Sequence, residues 1–173
     1  DDASVFVGNG EAVAFLDERR AAFAGTYETI RIFEVESGAS LSQTFVTSNT
    51  HSLDVSPNGR WIAGTHRSGA VQIADTQSST QPRIIAGHRG FGADSAFSAD
   101  GRRLVSLDNQ GVLQFADVET GAVFGRLKLP DQPFDIDYPQ VHCNDSLLAV
   151  SASGDGNSDL YVWRLDTPAA SSR

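Results

Sequence analysis

A stretch beginning at Phe97, "FSADGRRLVSLDNQGVLQFADVETG", restates one that begins at Val55, "VSPNGRWIAGTHRSGAVQIADTQSS", 42 residues earlier. At that offset Ser56/Ser98, Gly59/Gly101, Arg60/Arg102, Gly69/Gly111, Gln72/Gln114, Ala74/Ala116 and Asp75/Asp117 are identical. Asn58/Asp100, Ile62/Leu104, Val71/Leu113 and Ile73/Phe115 keep their character. A fixed period of this size marks a repeat architecture, in which each unit buries its apolar face only against its neighbours. The period runs outward in both directions. Upstream, Phe15 falls opposite Val55, "AGT" at 24–26 opposite "AGT" at 63–65, and Ile30 and Ile32 opposite Val71 and Ile73. Downstream, Leu160 and Val162 fall opposite Leu113 and Phe115, 47 residues on. Four units, about 9–47, 48–87, 88–129 and 130–166, account for nearly the whole chain and leave a polar tail at 167–173.

Every unit is written in strands. "WIAG", "LVSL" and "LLAVS" are short apolar runs of the kind buried on both faces, whereas "VQIAD", "VLQFAD" and "LYVWRL" alternate as a strand with one less apolar face does. "SPNG" and "SADG" separate first from second strands, and Asn-Gly and Asp-Gly are strong hairpin signals because glycine tolerates positive φ. Gly69 and Gly111 mark the next turn. No segment sustains a period of 3.6. Inner strands are expected near 12–16, 51–55, 93–98 and 134–138.

Unit three runs from Gly87-His88 through "FSADG" to "QFAD", and this order resembles the WD-repeat β-propeller family. There a Gly-His pair precedes an inner strand, and a third strand ends in Trp-Asp. The resemblance implies an all-β fold, a β-propeller of four-stranded antiparallel blades. Phe33, Ala74 and Ala116 replace the family's Trp; only Trp163 stands at that place, followed by Arg164. With Gln110 where the turn Asp belongs, the family's His–Ser–Asp–Trp network is expected to be broken even in unit three.

Propeller rings hold about 4–8 blades of four strands. Units one to three each supply an outer strand, "SLSQTFV", "PRIIA" and "AVFGRLKL", and unit four does not. "SVFVG" at 4–8 stands before the first inner strand with no unit of its own. It either completes the last blade of a four-bladed ring, lying beside "YVWRL", or belongs to a blade beyond this segment. The family's preference for larger rings favours the second, a part of a larger ring, as does the absence of Met, from which a translation start upstream is expected. Such an open ring exposes apolar blade faces that monomers rarely tolerate, to be covered by other protein chains or by the rest of its own propeller.

The totals narrow the function classes. Thirteen Lys and Arg against 22 Asp and Glu give a net charge of −9, which opposes the counterion release that nucleic-acid affinity rests on and attraction to an anionic membrane. No nucleic acid and no membrane are expected as partners. A single cysteine, Cys143, excludes an internal disulfide and fits an intracellular location, cytoplasmic or nuclear.

Candidate chemistry is thin, and neither catalytic residues, metal nor cofactors are expected. Ser52, His51 and Asp54 have the types of a catalytic triad, but closeness in sequence is not geometry. "HCND" at 142–145 has metal-ligand types, yet neighbours in a strand point oppositely. Asp155, Asn157, Asp159 and Asp166 follow part of a calcium-loop pattern, but Leu160 stands where that loop needs Gly. The inner strands offer only Asp54, Asp94, Asp135 and Asp137, so an axial hydrolase or lyase site is the alternative to a non-catalytic interaction scaffold. A purely structural degenerate propeller is the third reading. On the face made by loops entering inner strands and joining second to third strands lie Tyr27, His66, Arg67, Arg89, Phe91 and Asp108. Arg and aromatic residues in loops are the anchor types of protein interfaces, so these are the candidate partner-binding residues.

Overall fold

The computed structural model describes residues 10–25, 29–45, 50–78, 81–85, 87–130, 136–144, 146–154 and 157–165. These form fifteen strands and, among the described residues, no helix. The first sheet takes β1 (Gly10–Phe15), β2 (Arg20–Gly25), β3 (Thr29–Glu34) and β4 (Ser40–Phe45) in that order, all antiparallel. The second takes β5 (Thr50–Val55), β6 (Trp61–His66), β7 (Val71–Asp75) and β8 (Arg83–Ile85). The third takes β9 (Gly92–Phe97), β10 (Arg103–Asp108), β11 (Val112–Asp117) and β12 (Val123–Lys128). The fourth has three described strands, β13 (Asp137–Cys143), β14 (Leu147–Gly154) and β15 (Asn157–Arg164).

The first strands of successive sheets, β1, β5, β9 and β13, pack side by side in chain order. The sheets are therefore blades around an axis, with those strands innermost. The first three inner strands fall where the repeat places them. The fourth lies further along than 134–138, because "DYPQVHC" rather than "FDIDY" pairs with β14. Pro139 sits in that strand beside a register irregularity between Asp137 and Gln140, a place where a residue without an N–H is tolerated. His142 and Cys143 end the strand, and Asn144 Oδ1 accepts from the Ser146 and Leu147 amides to make the turn.

Three apolar layers join the four blades. Ala22, Ala24, Ile30 and Ile32 of the first blade meet Ile62 of the second. Trp61, Ala63, Val71 and Ile73 of the second meet Phe97, Leu104 and Ala116 of the third. Val105, Leu107 and Leu113 of the third meet Val141, Leu148 and Val150 of the fourth, with Tyr161 and Trp163 packed alongside. The period of two along each strand sends alternate residues to the two neighbouring blades, which is why β6 is buried at all six positions.

The end blades break this pattern. Phe15 occupies the register position of Phe97, opposite the second residue of β2 as Phe97 is opposite the second of β10. Phe97 is 5% exposed and Phe15 70%. Leu113 is 0% exposed beneath the fourth blade, and its counterpart Leu160 is 71% exposed. No strand pairing joins the first and fourth sheets among the described residues. The described sheets thus do not close into a ring, which is consistent with part of a larger propeller. Val5, Phe6, Val7 and the closure they bear on lie outside the described residues.

Candidate functional site

Three loops meet at one end of the second and third blades: the β6–β7 turn at 67–70, the 87–91 segment entering β9, and the β10–β11 turn at 109–111. The His88 amide donates to Gly69 O at 2.8 Å, tying the first to the second. Gly69 adopts φ +82°, and a Cβ there would lie 2.5 Å from His88 O and 2.6 Å from Gly90 O. Only glycine fits both the left-handed turn and the close backbone approach. The Phe91 amide donates to Asn109 Oδ1 at 2.8 Å and the Asn109 amide to Phe91 O at 3.0 Å, tying the second loop to the third.

Beneath this shelf, the side chains of His88 and Asp108 are each 1% exposed. His88 Nε2 lies 2.8 Å from Ser106 Oγ, and Nδ1 lies 3.4 Å from Asp108 Oδ2. Asp108 Oδ1 accepts from the Gln110 and Val112 amides at 3.0 and 2.8 Å. Burial pushes the Asp108 carboxyl up. The hydrogen bond from His88, those two amides and the attraction of His88 outweigh it and hold the carboxyl below the usual carboxylate range. The expected loss of the turn carboxylate is therefore corrected, while the loss of the Trp member stands. Asp108, not the residue at 110, is the turn carboxylate, so three of the four members are joined and only the Trp place, Ala116, is empty of a partner.

Asp108 accordingly works inside the blade and does not serve as a surface anchor. His66, its counterpart one unit earlier, is likewise fully buried, with Nδ1 3.5 Å from Thr50 Oγ1. Arg67, Arg89 and Phe91 are exposed on the shelf, while Tyr27 lies outside the described residues. Sequence reasoning missed Lys128, exposed at the end of β12, whose ammonium donates to Gln110 O on the same shelf. Its signal was the apposition of the strand end to the turn, which the Leu129 amide donating to Gly111 O at 2.8 Å now fixes.

The inner-strand carboxylates form a second group. A cavity of about 370 Å³ is lined by Asp54, Asp94, His142 and Cys143 among others. Asp54 Oδ2 accepts from the Phe97 amide at 2.8 Å. Asp94 accepts from Ser52 Oγ at 2.7 Å and from the Val141 amide at 2.9 Å. Each carboxylate thus reaches from its own inner strand to the next blade. The hydroxyl of the sequence triad goes to Asp94, so Ser52, His51 and Asp54 are not assembled as one. Burial raises the Asp54 carboxyl, and the Asp94 charge raises it further against the pull of the Phe97 and Val55 amides and His142. Among the described residues no group of three or more His, Cys, Asp or Glu is arranged to hold a metal ion. Asp155 and Asp166 of the calcium pattern, and Asp135, lie outside them. No described helix is long and apolar enough to cross a membrane.

Radial blades of antiparallel strands and a His–Ser–Asp network beneath the loop shelf define the class: the fold is that of the WD-repeat β-propellers. U3-55K is similar with a TM-score of 0.77 at 19% identity, over 90% of this chain and 48% of that one. The WD40 repeats of RRP9 give 0.75 at 17%, over 89% and 50%. The computationally designed Ika4 protein gives 0.72 at 18%, over 90% of this chain and 91% of that one. Among curated proteins, transcription initiation factor TFIID subunit 5 of Caenorhabditis elegans is 30% identical over 115 residues, 66% of this chain and 17% of the relative. Autophagy-related protein 16 of Arabidopsis thaliana is 21% identical over 155 residues, 88% of this chain and 30% of the relative. The chain thus spans less than a third of the curated relatives it matches. No family model matches it.

Proposed function

We propose that this chain is a non-catalytic scaffold for protein–protein assembly, acting inside the cell as part of a larger propeller or complex. The observation that carries the reading is the pair of uncovered end faces. Val13 and Phe15 at one end, and Leu160 and Val162 at the other, are exposed at positions that interior blades bury wholly or in part. Apolar patches of that kind mark contact with other polypeptide. A relative named as a subunit of a transcription initiation factor supports membership of a complex.

The test places a photo-cross-linking amino acid at Phe15 or Leu160 in the parent protein in its source cell. Both positions should give adducts, either to another protein or to a distant part of the same chain. Irradiation without adducts from either end would remove the reading. An axial enzyme site is the competing reading, favoured by the cavity holding Asp54 and His142. Its carboxylates are engaged in bonds between blades, which supports a bracing role instead. Turnover in a hydrolase or lyase screen, lost in His142→Ala, would establish the enzyme.

A further inference from the structure

We infer that two copies of this chain close head-to-tail into one ring, the first blade of each lying against the fourth blade of the other. The inference rests on the scaffold reading and names what covers its two end faces. Every joint between neighbouring blades has unlike halves. The earlier blade gives an apolar pair from its third strand: Ile30 and Ile32 in the first joint, Val71 and Ile73 in the second, Leu113 and Phe115 in the third. The later blade gives, among others, the last residue of its inner strand, Val55 in the first joint and Phe97 in the second. Each end face is one of these halves without the other. Phe15 ends β1 as Val55 ends β5, and it is exposed. Phe23, opposite Val13 across the strand pair, meets Phe33 edge-on and extends the same apolar face. On the fourth blade, Leu160 and Val162 stand where Leu113 and Phe115 do. Leu147 is exposed on that face too, because it alternates with Ala149, the partner of Val162.

A surface whose complement lies at its own other end makes a heterologous contact, which runs on as a filament or closes when the rotation allows. The stacking of the blades sets that rotation. The chain overlays 50% of the RRP9 repeats, so one copy turns through half of a ring and leaves a gap of its own length. Two copies of four sheets give eight blades, within the range of about 4–8 that such rings hold. A second copy supplies both missing halves at once, whereas an unrelated protein would have to carry both. One copy closing on itself would bring its first and fourth sheets together, yet Phe15 and Leu160 are exposed in the same molecule.

The experiment is sedimentation velocity of the 173-residue chain at high salt, over a range of concentrations. The wild type should pass from monomer to dimer and stop there, because a closed ring leaves no end face free. Phe15→Asp and Leu160→Asp each put a charge into both joints of a ring of identical copies, and each should weaken the dimer about tenfold or more. An equimolar mixture of the two variants should form dimers at concentrations where neither does alone. In that mixture the intact Leu160 face of one variant meets the intact Phe15 face of the other, making one sound joint. Phe91→Ser removes an exposed aromatic from the loop shelf and should leave the dimer unchanged. Circular dichroism of each variant should match the wild type, since all three positions are exposed. A chain that stays monomeric, one that grows past the dimer, a mixture no more associated than its components, or an equal loss in Phe91→Ser would overturn the proposal. Adducts from Phe15 and Leu160 to another protein in the source cell would still stand in that event, so the scaffold reading falls or survives separately.

Discussion

Asp108 shows how one side chain converts a turn into a rigid platform. Its carboxylate closes the β10–β11 turn through two amides and holds His88 from the adjoining loop. In Asp108→Ala, two amides lose their acceptor and a buried imidazole loses its neighbour. The expected cost is about 3 kcal/mol in urea unfolding at neutral pH, the range for breaking a buried network on one side only. Because the folded state holds this carboxyl below its ordinary value, its contribution is complete above the ordinary carboxylate range and is lost as pH falls through the depressed value. The difference between wild type and Asp108→Ala should therefore shrink in strong acid. Asp54 carries the opposite sign. Its carboxyl is raised by burial and by Asp94, so wild-type stability falls as pH rises from the ordinary carboxylate range through the raised value. Asp54→Asn keeps an oxygen for the Phe97 amide and removes the buried charge. It should be at least as stable as wild type at neutral pH, with the advantage disappearing as pH falls toward about 4. A variant less stable than wild type by several kcal/mol at pH 7 would show that the charge itself is needed.

The blade is the element, and most of it was legible. Identical glycines 42 residues apart set the turns, and Gly59, Gly69, Gly101 and Gly111 all take positive φ. Alternation along each strand gave the two buried faces. What was not legible depended on contacts between units. Ser52 and Asp94 occupy equivalent repeat positions, but nothing in the sequence says that one donates to the other across two blades. The same holds for Arg83, which leaves the outer strand of the second blade to bond Val118 O at 2.9 Å in the third. Of the candidate partner-binding residues, Arg67, Arg89 and Phe91 are exposed. His66 and Asp108 were misread because a polar residue at a strand end looks the same in sequence whether its side chain turns outward or under the loop. The fourth inner strand was displaced for a related reason: "FDIDY" alternates as well as "DYPQVHC" does, and Pro139 argued against the true strand.

At the scale of the whole molecule, hydrophobic burial and charge oppose one another. The blade stack leaves Val13 and Phe15 uncovered at one end and Leu160 and Val162 at the other. Burying such faces drives association, whereas a charge of −9 on each copy resists it. Salt decides between them. At physiological ionic strength the screening length is about 8 Å, so repulsion between distributed charges is largely damped. Contact between apolar faces is not damped, and it strengthens with excluded salts such as sulfate. The 173-residue chain by itself should therefore sediment as a monomer at low salt and low concentration, then shift to larger species as either rises. Phe15→Asp and Leu160→Asp should each reduce the shift, and the two together should abolish it without altering the far-ultraviolet spectrum. Leu113→Asp offers the contrast, since the same residue type at the same repeat position lies under a neighbouring blade. That substitution should unfold the third and fourth blades, because it buries a charge with no partner. A wild-type chain that stays monomeric at high salt and high concentration would mean that the end faces do not stick. The exposed leucine and phenylalanine would then owe their place to something other than contact with a further blade.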